Sequence, residues 1–254
     1  MSLPAKRARQ TPPLEWAIAA AVAVAPIALA LALDAIGSSL AARGTSDMLS
    51  HAELAGLAGR SYAKPWSGVT ALDCEYDLLP RGDNELVVAI PGTHPDDPLD
   101  WIRDLSAVPW PFPTIGICHS GFGAGGTAIA ERVRAALRDD GRLITVVGHS
   151  LGGAMALIVG ARLIAAGKRV RIVTFGAPRV AFIANFALSH FARDALELAE
   201  YRRAGDPVPG VPPRPIFRHV SGGIAIGVDC GDPIGDHAIS RYAADLAAPG
   251  TKAA

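Results

Sequence analysis

Short, continuous apolar runs alternate with stretches of helical spacing along most of this chain. Ser50-His51-Ala52-Glu53 has the spacing of a capping box, and Leu54, Leu57 and Ala58 give the following helix an apolar stripe. Leu86 to Ile90 (LVVAI) is an unbroken apolar run that stops at Pro91-Gly92, the pattern of a strand covered on both faces. Ile115 to Cys118 predicts a second strand, and Leu143 to Val147 (LITVV) and Val170 to Phe175 two more. Ile129, Val133, Ala136 and Leu137 recur at helical spacing, with a stop near Asp140-Gly141. A further helix is predicted from Leu151 to about Ala166, with Gly167 placed for a left-handed C-terminal cap. Phe182 to Phe191 and Arg193 to Leu198 read as helical, and Glu200 to Arg203 as extended. Pro207 to Pro215 holds five prolines and reads as a stiff connector. Strands alternating with helices imply an α/β fold with a central, mostly parallel sheet flanked by helices.

Before residue 45 the pattern differs. Lys6, Arg7 and Arg9 precede Trp16 to Leu33, eighteen residues without a charge. That length meets the lower threshold for a membrane-spanning helix. Nine of the eighteen are the mildly apolar Ala, and Pro26 would kink a helix there. With Ser39-Leu40-Ala41 behind it, the segment reads as a secretory signal or as an uncleaved anchor. A hydrophobic helix packed against the domain is the alternative. Residues 1–44 are therefore expected to form a signal- or anchor-like segment with a linker, and 45–254 the α/β domain. The protein is expected to be membrane-associated or exported, with membrane contact through residues 16–33, or else cytoplasmic if that helix packs.

Composition narrows the function. Half the residues are apolar and mean hydropathy is +0.28, which excludes a disordered chain. Lys plus Arg and Asp plus Glu each number 24, so no global positive field exists to gather nucleic acid. Cys74, Cys118 and Cys230 are too few and scattered for a zinc site or a disulfide scaffold. No signal for a metal or cofactor is present.

The candidate chemistry centres on Gly148-His149-Ser150-Leu151-Gly152-Gly153, between the strand LITVV and the helix after it. G-x-S-x-G alone is weak, but a strand before it and a helix after it are the context a nucleophilic serine requires. The serine must stand on a sharp turn with its hydroxyl accessible, and Gly148 and Gly152 remove side chains where strand and helix approach. The helix N-terminus leaves unpaired N–H groups beside a developing oxyanion.

With these residues the chain resembles the class 3 lipases, the fungal-lipase-like branch of the α/β-hydrolases. The supporting segments run in that family's order: VVAIPGT (Val87 to Thr93), DWIRDL (Asp100 to Leu105), HSGF (His119 to Phe122), VVGHSLGGAMA (Val146 to Ala156), VTFGAPRV (Val173 to Val180), GDPVPGVPP (Gly205 to Pro213) and DHAISRY (Asp236 to Tyr242). The resemblance implies an α/β-hydrolase fold and a triad of Ser150 as nucleophile, Asp206 as acid and His237 as general base. His219 also follows Asp206 and competes for the base role, while Asp229, Asp232 and Asp236 compete for the acid. His149 adjoins the nucleophile and is expected to point elsewhere. The oxyanion hole would combine the backbone N–H of Leu151 with Thr93, and Asp104 would steady the Thr93 loop. Two departures stand out. Pro91 replaces the family's usual Arg before Gly-Thr, and the stretch from Asp206 to His237 is short.

The resemblance also places a lid at about His94 to Pro113, whose second half carries Val108, Trp110 and Phe112. These side chains either meet a lipid surface or pack beneath the loop. The expected activity is hydrolysis of carboxylic esters, lipid esters foremost, through an acyl-serine intermediate. An acyltransferase or a phospholipase A on the same fold, and a non-catalytic membrane-tethered binding protein, are the alternatives.

Overall fold

The computed structural model describes residues 48–93, 108–137 and 141–248. The segment Trp16–Leu33, Asp104 and most of the lid region lie outside the described residues. The elements below all belong to Ser50–Ala254, one of two units into which the chain divides.

The chain enters through α1 (His51–Arg60), whose capping box is formed: the Ser50 hydroxyl accepts from the Glu53 N–H, and the Glu53 carboxylate accepts from the Ser50 N–H at 2.8 Å. Strands β1 (Gly68–Val69), β2 (Glu75–Arg81) and β3 (Glu85–Ile90) follow as an antiparallel meander. After β4 (Pro109–Phe112) and β5 (Gly116–His119) come α2 (Ser120–Ala136), β6 (Leu143–His149), α3 (Leu151–Ala165) and β7 (Val170–Phe175). Then β8 (Ala181–Phe182), α4 (Phe186–Asp194), β9 (Glu197–Arg203), a 3-10 turn (Val208–Gly210), β10 (Phe217–Arg218), β11 (Ile224–Ile226), α5 (Pro233–His237) and α6 (Ile239–Ala247) complete it.

One sheet has the order β1-β2-β3-β6-β7-β9-β11, with β3, β6, β7, β9 and β11 mutually parallel. Right-handed crossovers through helices are the usual way to join such strands, which explains the strand–helix alternation in the sequence. A second, antiparallel sheet runs β10-β8-β5-β4.

Strands β3, β6 and β7 are buried at every position, as their predominantly apolar runs require, and β6 and β7 bury Thr145, Arg171 and Thr174 among them. Val88, Ile90, Ile144, Val146, Val170 and Ile172 belong to a core with α2 and α3 that includes Phe122, Ile129, Met155 and Ile158. The alternate residues Val87, Ala89, Val147 and Val173 are equally buried, as are Leu54, Ala55 and Ala58 of α1. Helix α3 ends in the predicted cap: Gly167 has φ +75°, its N–H donates to Ile164, and the Lys168 N–H donates to the Leu163 carbonyl at 3.0 Å.

Three sequence expectations change. The predicted helix over Arg193–Leu198 breaks at Ala195, and β9 begins at Glu197. Phe182 closes strand β8, so the helix predicted from it starts at Phe186, capped by Asn185. The tail of the lid segment is strand β4, in which Phe112 packs against Gly123 of α2 while Trp110 and Val108 stay exposed. All three cysteines are free.

Candidate active site

Strand β6 runs into α3 through one residue, Ser150, whose φ of 57° and ψ of −129° lie where a side chain is sterically disfavoured. Such a conformation holds only when its surroundings over-determine it. The Ser150 N–H donates to the Phe175 carbonyl of β7 at 3.0 Å, and Gly152 lets α3 press onto the end of β3. A Cβ at Gly152 would lie 2.2 Å from the Ile90 carbonyl oxygen and 2.4 Å from that of Pro91, and one at Gly148 2.3 Å from the Gly152 oxygen. The Leu151 N–H is the first of the helix and has no intrahelical acceptor, with the positive end of the helix dipole behind it.

Each following strand delivers its residue at the same edge of the sheet. The Ser150 Oγ lies 2.9 Å from His237 Nε2, and His237 Nδ1 lies 3.0 Å from both Asp206 oxygens. A carboxylate only accepts, so Nδ1 carries the proton and Nε2 faces the serine hydroxyl as acceptor. Asp206 sits beyond β9, where its Oδ1 also accepts from the Val208 N–H at 2.9 Å. Its Oδ2 accepts from the Tyr242 hydroxyl at 2.6 Å. Burial, reinforced by the Asp206 charge, pushes the Tyr242 phenol up and keeps it a donor. Gly176, after β7, leaves the space in which this pair meets: a Cβ there would sit 2.8 Å from Asp206 Oδ2 and 3.2 Å from His237 Nδ1.

A second chain of hydrogen bonds fixes the histidine loop from behind. Burial, with the neighbouring charge of His237, holds His149 well below the ordinary imidazole range, so its ring is neutral. Its Nε2 lies 2.8 Å from the His237 carbonyl, which can only accept; the Nε2 proton is therefore in place. His149 Nδ1 then accepts from the Tyr62 hydroxyl at 2.7 Å. The Gly92 N–H donates to the same Tyr62 oxygen. The loop after β3, the residue before Ser150 and the backbone of His237 are thus tied together. Sequence reasoning sent the His149 ring away from the chemistry but gave no role to it or to Tyr62.

Asp236, directly before His237, is fully buried. Burial alone would raise its carboxyl, but the Cys230 N–H at 3.1 Å and the Arg203 guanidinium outweigh that and hold it low. Arg203 also pairs with Asp245 at 2.7 Å. The other rival residues have separate duties. His219 Nε2 bonds the Pro209 carbonyl and its Nδ1 lies 3.4 Å from Glu200; Asp232 caps α5, and Asp229 accepts from Gly231. Thr93 follows Gly92, at which a Cβ would lie 3.0 Å from Ser150 Cβ. The arrangement can move a proton from a serine hydroxyl to an imidazole whose opposite nitrogen faces a carboxylate, beside a helix N-terminus.

The family model described as "Lipase (class 3)" matches residues 87–215. Secreted mono- and diacylglycerol lipase 1 of Fusarium solani is 32% identical over 158 residues, covering 58% of this chain and 45% of its own. Phospholipase A1-II 7 of Oryza sativa subsp. indica is 28% identical over 193 residues, covering 58% and 46%. This chain thus spans a little under half the length of either relative. Among solved structures, the triacylglyceride lipase of Rhizomucor miehei superposes with a TM-score of 0.58 at 21% identity, covering 69% of this chain and 78% of that one. A lipase of Rhizopus microsporus var. chinensis gives 0.58 at 22%, covering 72% and 75%. At such identities the likeness establishes the fold, that of the α/β-hydrolases.

Proposed function

The chain belongs to the class 3 lipase family, and from that premise we propose that it hydrolyses lipid carboxylic esters through an acyl-serine intermediate. The observation that carries this reading is the line of hydrogen bonds from Ser150 Oγ through His237 to Asp206. Ser150 attacks the ester carbonyl while its proton passes to His237 Nε2. Asp206 keeps the imidazole in the required tautomer and stabilises its charged form. The tetrahedral oxyanion is received by the N–H of Leu151 and by Thr93. Collapse expels the alcohol, which takes the proton from His237, and water then repeats the sequence on the acyl-enzyme. A non-catalytic binding protein would have no need of the strained backbone at Ser150.

Lipid esters are favoured over small soluble ones by the exposed Val108, just before β4, and Trp110 on it, and by likeness to proteins named for mono- and diacylglycerol and for phospholipid. Export fits the secreted relative and the uncharged stretch 16–33, which would also bring the enzyme to a membrane. Among the described residues no helix is long and apolar enough to cross one.

The test is turnover of p-nitrophenyl esters across short to long acyl chains, and of monoacyl- and diacylglycerol, by the wild-type chain and Ser150→Ala. Loss on the order of 10⁶-fold in the variant, with a preference for long chains, is the expected result. A folded wild-type chain inactive on all of them would overturn the proposal.

A further inference from the structure

A cavity of about 480 Å³ lies apart from the triad, lined by Ile183, Arg202, Arg214, Arg218, His219 and Gly222 among others. Its charge balance is unusual. Arg218 is held by neutral acceptors: the carbonyls of Ile183 at 3.2 Å, His219 at 3.2 Å and Asn185 at 2.5 Å, and the Ser189 hydroxyl at 2.8 Å. Arg202 donates through Nη2 to the Ser221 carbonyl at 3.2 Å, and its buried Nε has no partner among the described residues. Arg214 is exposed and makes no hydrogen bond or ion pair among the described residues. The nearby carboxylate, Glu200, accepts from the Ser221 N–H through Oε2, while its buried Oε1 lies 3.4 Å from His219 Nδ1 and has no hydrogen bond among the described residues.

The guanidinium groups stand close enough to oppose one another. Burial depresses Arg202, Glu200 partly offsets this, and Arg214 pushes it down again; Arg179 is depressed by burial and then by Arg214 and Arg202. Crowded cations with unfilled donors are stabilised by an anion with several acceptor oxygens. The wall is shaped for one. Gly223, at φ +74°, lies flat on Arg202, where a Cβ would come within 2.2 Å of the guanidinium carbon, and a Cβ at Gly222 would meet only open space.

Apolar side chains border this basic cavity: Ile183, Pro215 and Phe217 line it, and Ile183 is 49% exposed. The Ile183 N–H donates to the carbonyl of Ile216, itself 46% exposed and set between the lining Pro215 and Phe217. A free phosphate would make no use of such a rim, whereas a phospholipid offers a phosphoryl group next to acyl chains. We propose that this cavity is a binding site for the phosphate of an anionic phospholipid, holding the protein on a lipid surface independently of the triad.

The full chain is tested for binding to vesicles of phosphatidylcholine alone and of phosphatidylcholine mixed with phosphatidylglycerol. Residues 16–33 enter both measurements, and Lys6, Arg7 and Arg9 favour anionic vesicles in the wild type and the Arg214 variants alike, so the change in the ratio on Arg214 substitution reports on the cavity. The wild type is expected to prefer the anionic vesicles, with a preference that weakens in salt and in added inorganic phosphate. Arg214→Ala should reduce the ratio by about fivefold and Arg214→Glu further. Hydrolysis of a soluble short-chain p-nitrophenyl ester should be unchanged in Arg214→Ala, which reports that the variant is folded. Equal binding of both vesicles, or a ratio insensitive to Arg214, overturns the proposal, as does inorganic phosphate binding without vesicle preference. An inactive wild type that retained the vesicle preference would sink the ester-hydrolase reading and leave this one standing.

Discussion

His149 stands beside Ser150, the proposed nucleophile, yet commits both ring nitrogens to holding other residues, and its neutrality has a pH consequence. Above the ordinary value of 6.5 the ring is neutral in both folded and unfolded chains. Below it the unfolded chain takes up a proton that the folded one refuses, so stability falls as pH falls from about 6.5. His119, lowered by burial and without a partner for either ring nitrogen among the described residues, acts in the same direction. Urea midpoints measured from pH 7.5 down to 5 should decline less steeply for His149→Gln than for the wild type; equal slopes would refute the assignment. Around the acid the donors are graded. Asp206→Asn is expected to reduce kcat by about 10⁴-fold through the wrong imidazole tautomer. Tyr242→Phe removes one charge-assisted hydrogen bond to Asp206 but leaves the carboxylate in place, and should reduce it only about tenfold. A loss as large as that of Asp206→Asn would give Tyr242 a greater part than orientation.

Helix α1 shows how an element far in sequence enters the site, because Tyr62 follows its last turn by two residues. Removing the cap with Ser50→Ala should cost about 1 kcal/mol, or roughly 2–4 °C in Tm for a domain of this size. Tyr62→Phe should instead lower kcat about fivefold with little change in KM for a soluble ester, since it frees His149 and the Gly92 loop without touching the substrate. Unchanged kcat would mean that His149 alone suffices. The strands with continuous apolar runs were legible because the parallel centre of the sheet buries both faces, and the Gly148–Gly153 turn marked its own position. β9 was less legible: Glu197, Glu200 and Arg203 look solvated, but Arg171, His219, Asp236 and Asp245 pair with them inside. Strands β1 and β4 escaped because they are short edges, and β2 because it is half-exposed with no regular alternation. The Tyr62–His149 link spans 87 positions, and no local pattern encodes such a pairing.

At the scale of the whole molecule, Ser150, Asp206 and His237 come from separate parts of the chain but meet beyond the carboxyl ends of β6 and β9. The register of β6, β7 and β9 therefore fixes their spacing, and the Arg203 pairs, buried with Asp236 and half-buried with Asp245, hold the histidine segment to that end of the strands. Within this rigid frame the backbone at Ser150 remains the costly point. A glycine would adopt its φ of 57° without a steric penalty of about 1–3 kcal/mol, even after its own entropic cost of about 0.5–1 kcal/mol is subtracted. Ser150→Gly should accordingly melt higher than the wild type while hydrolysing nothing. Heat resistance and turnover thus pull position 150 in opposite directions, and a variant library sorted by thermal survival alone would enrich sturdier chains that have discarded their nucleophile.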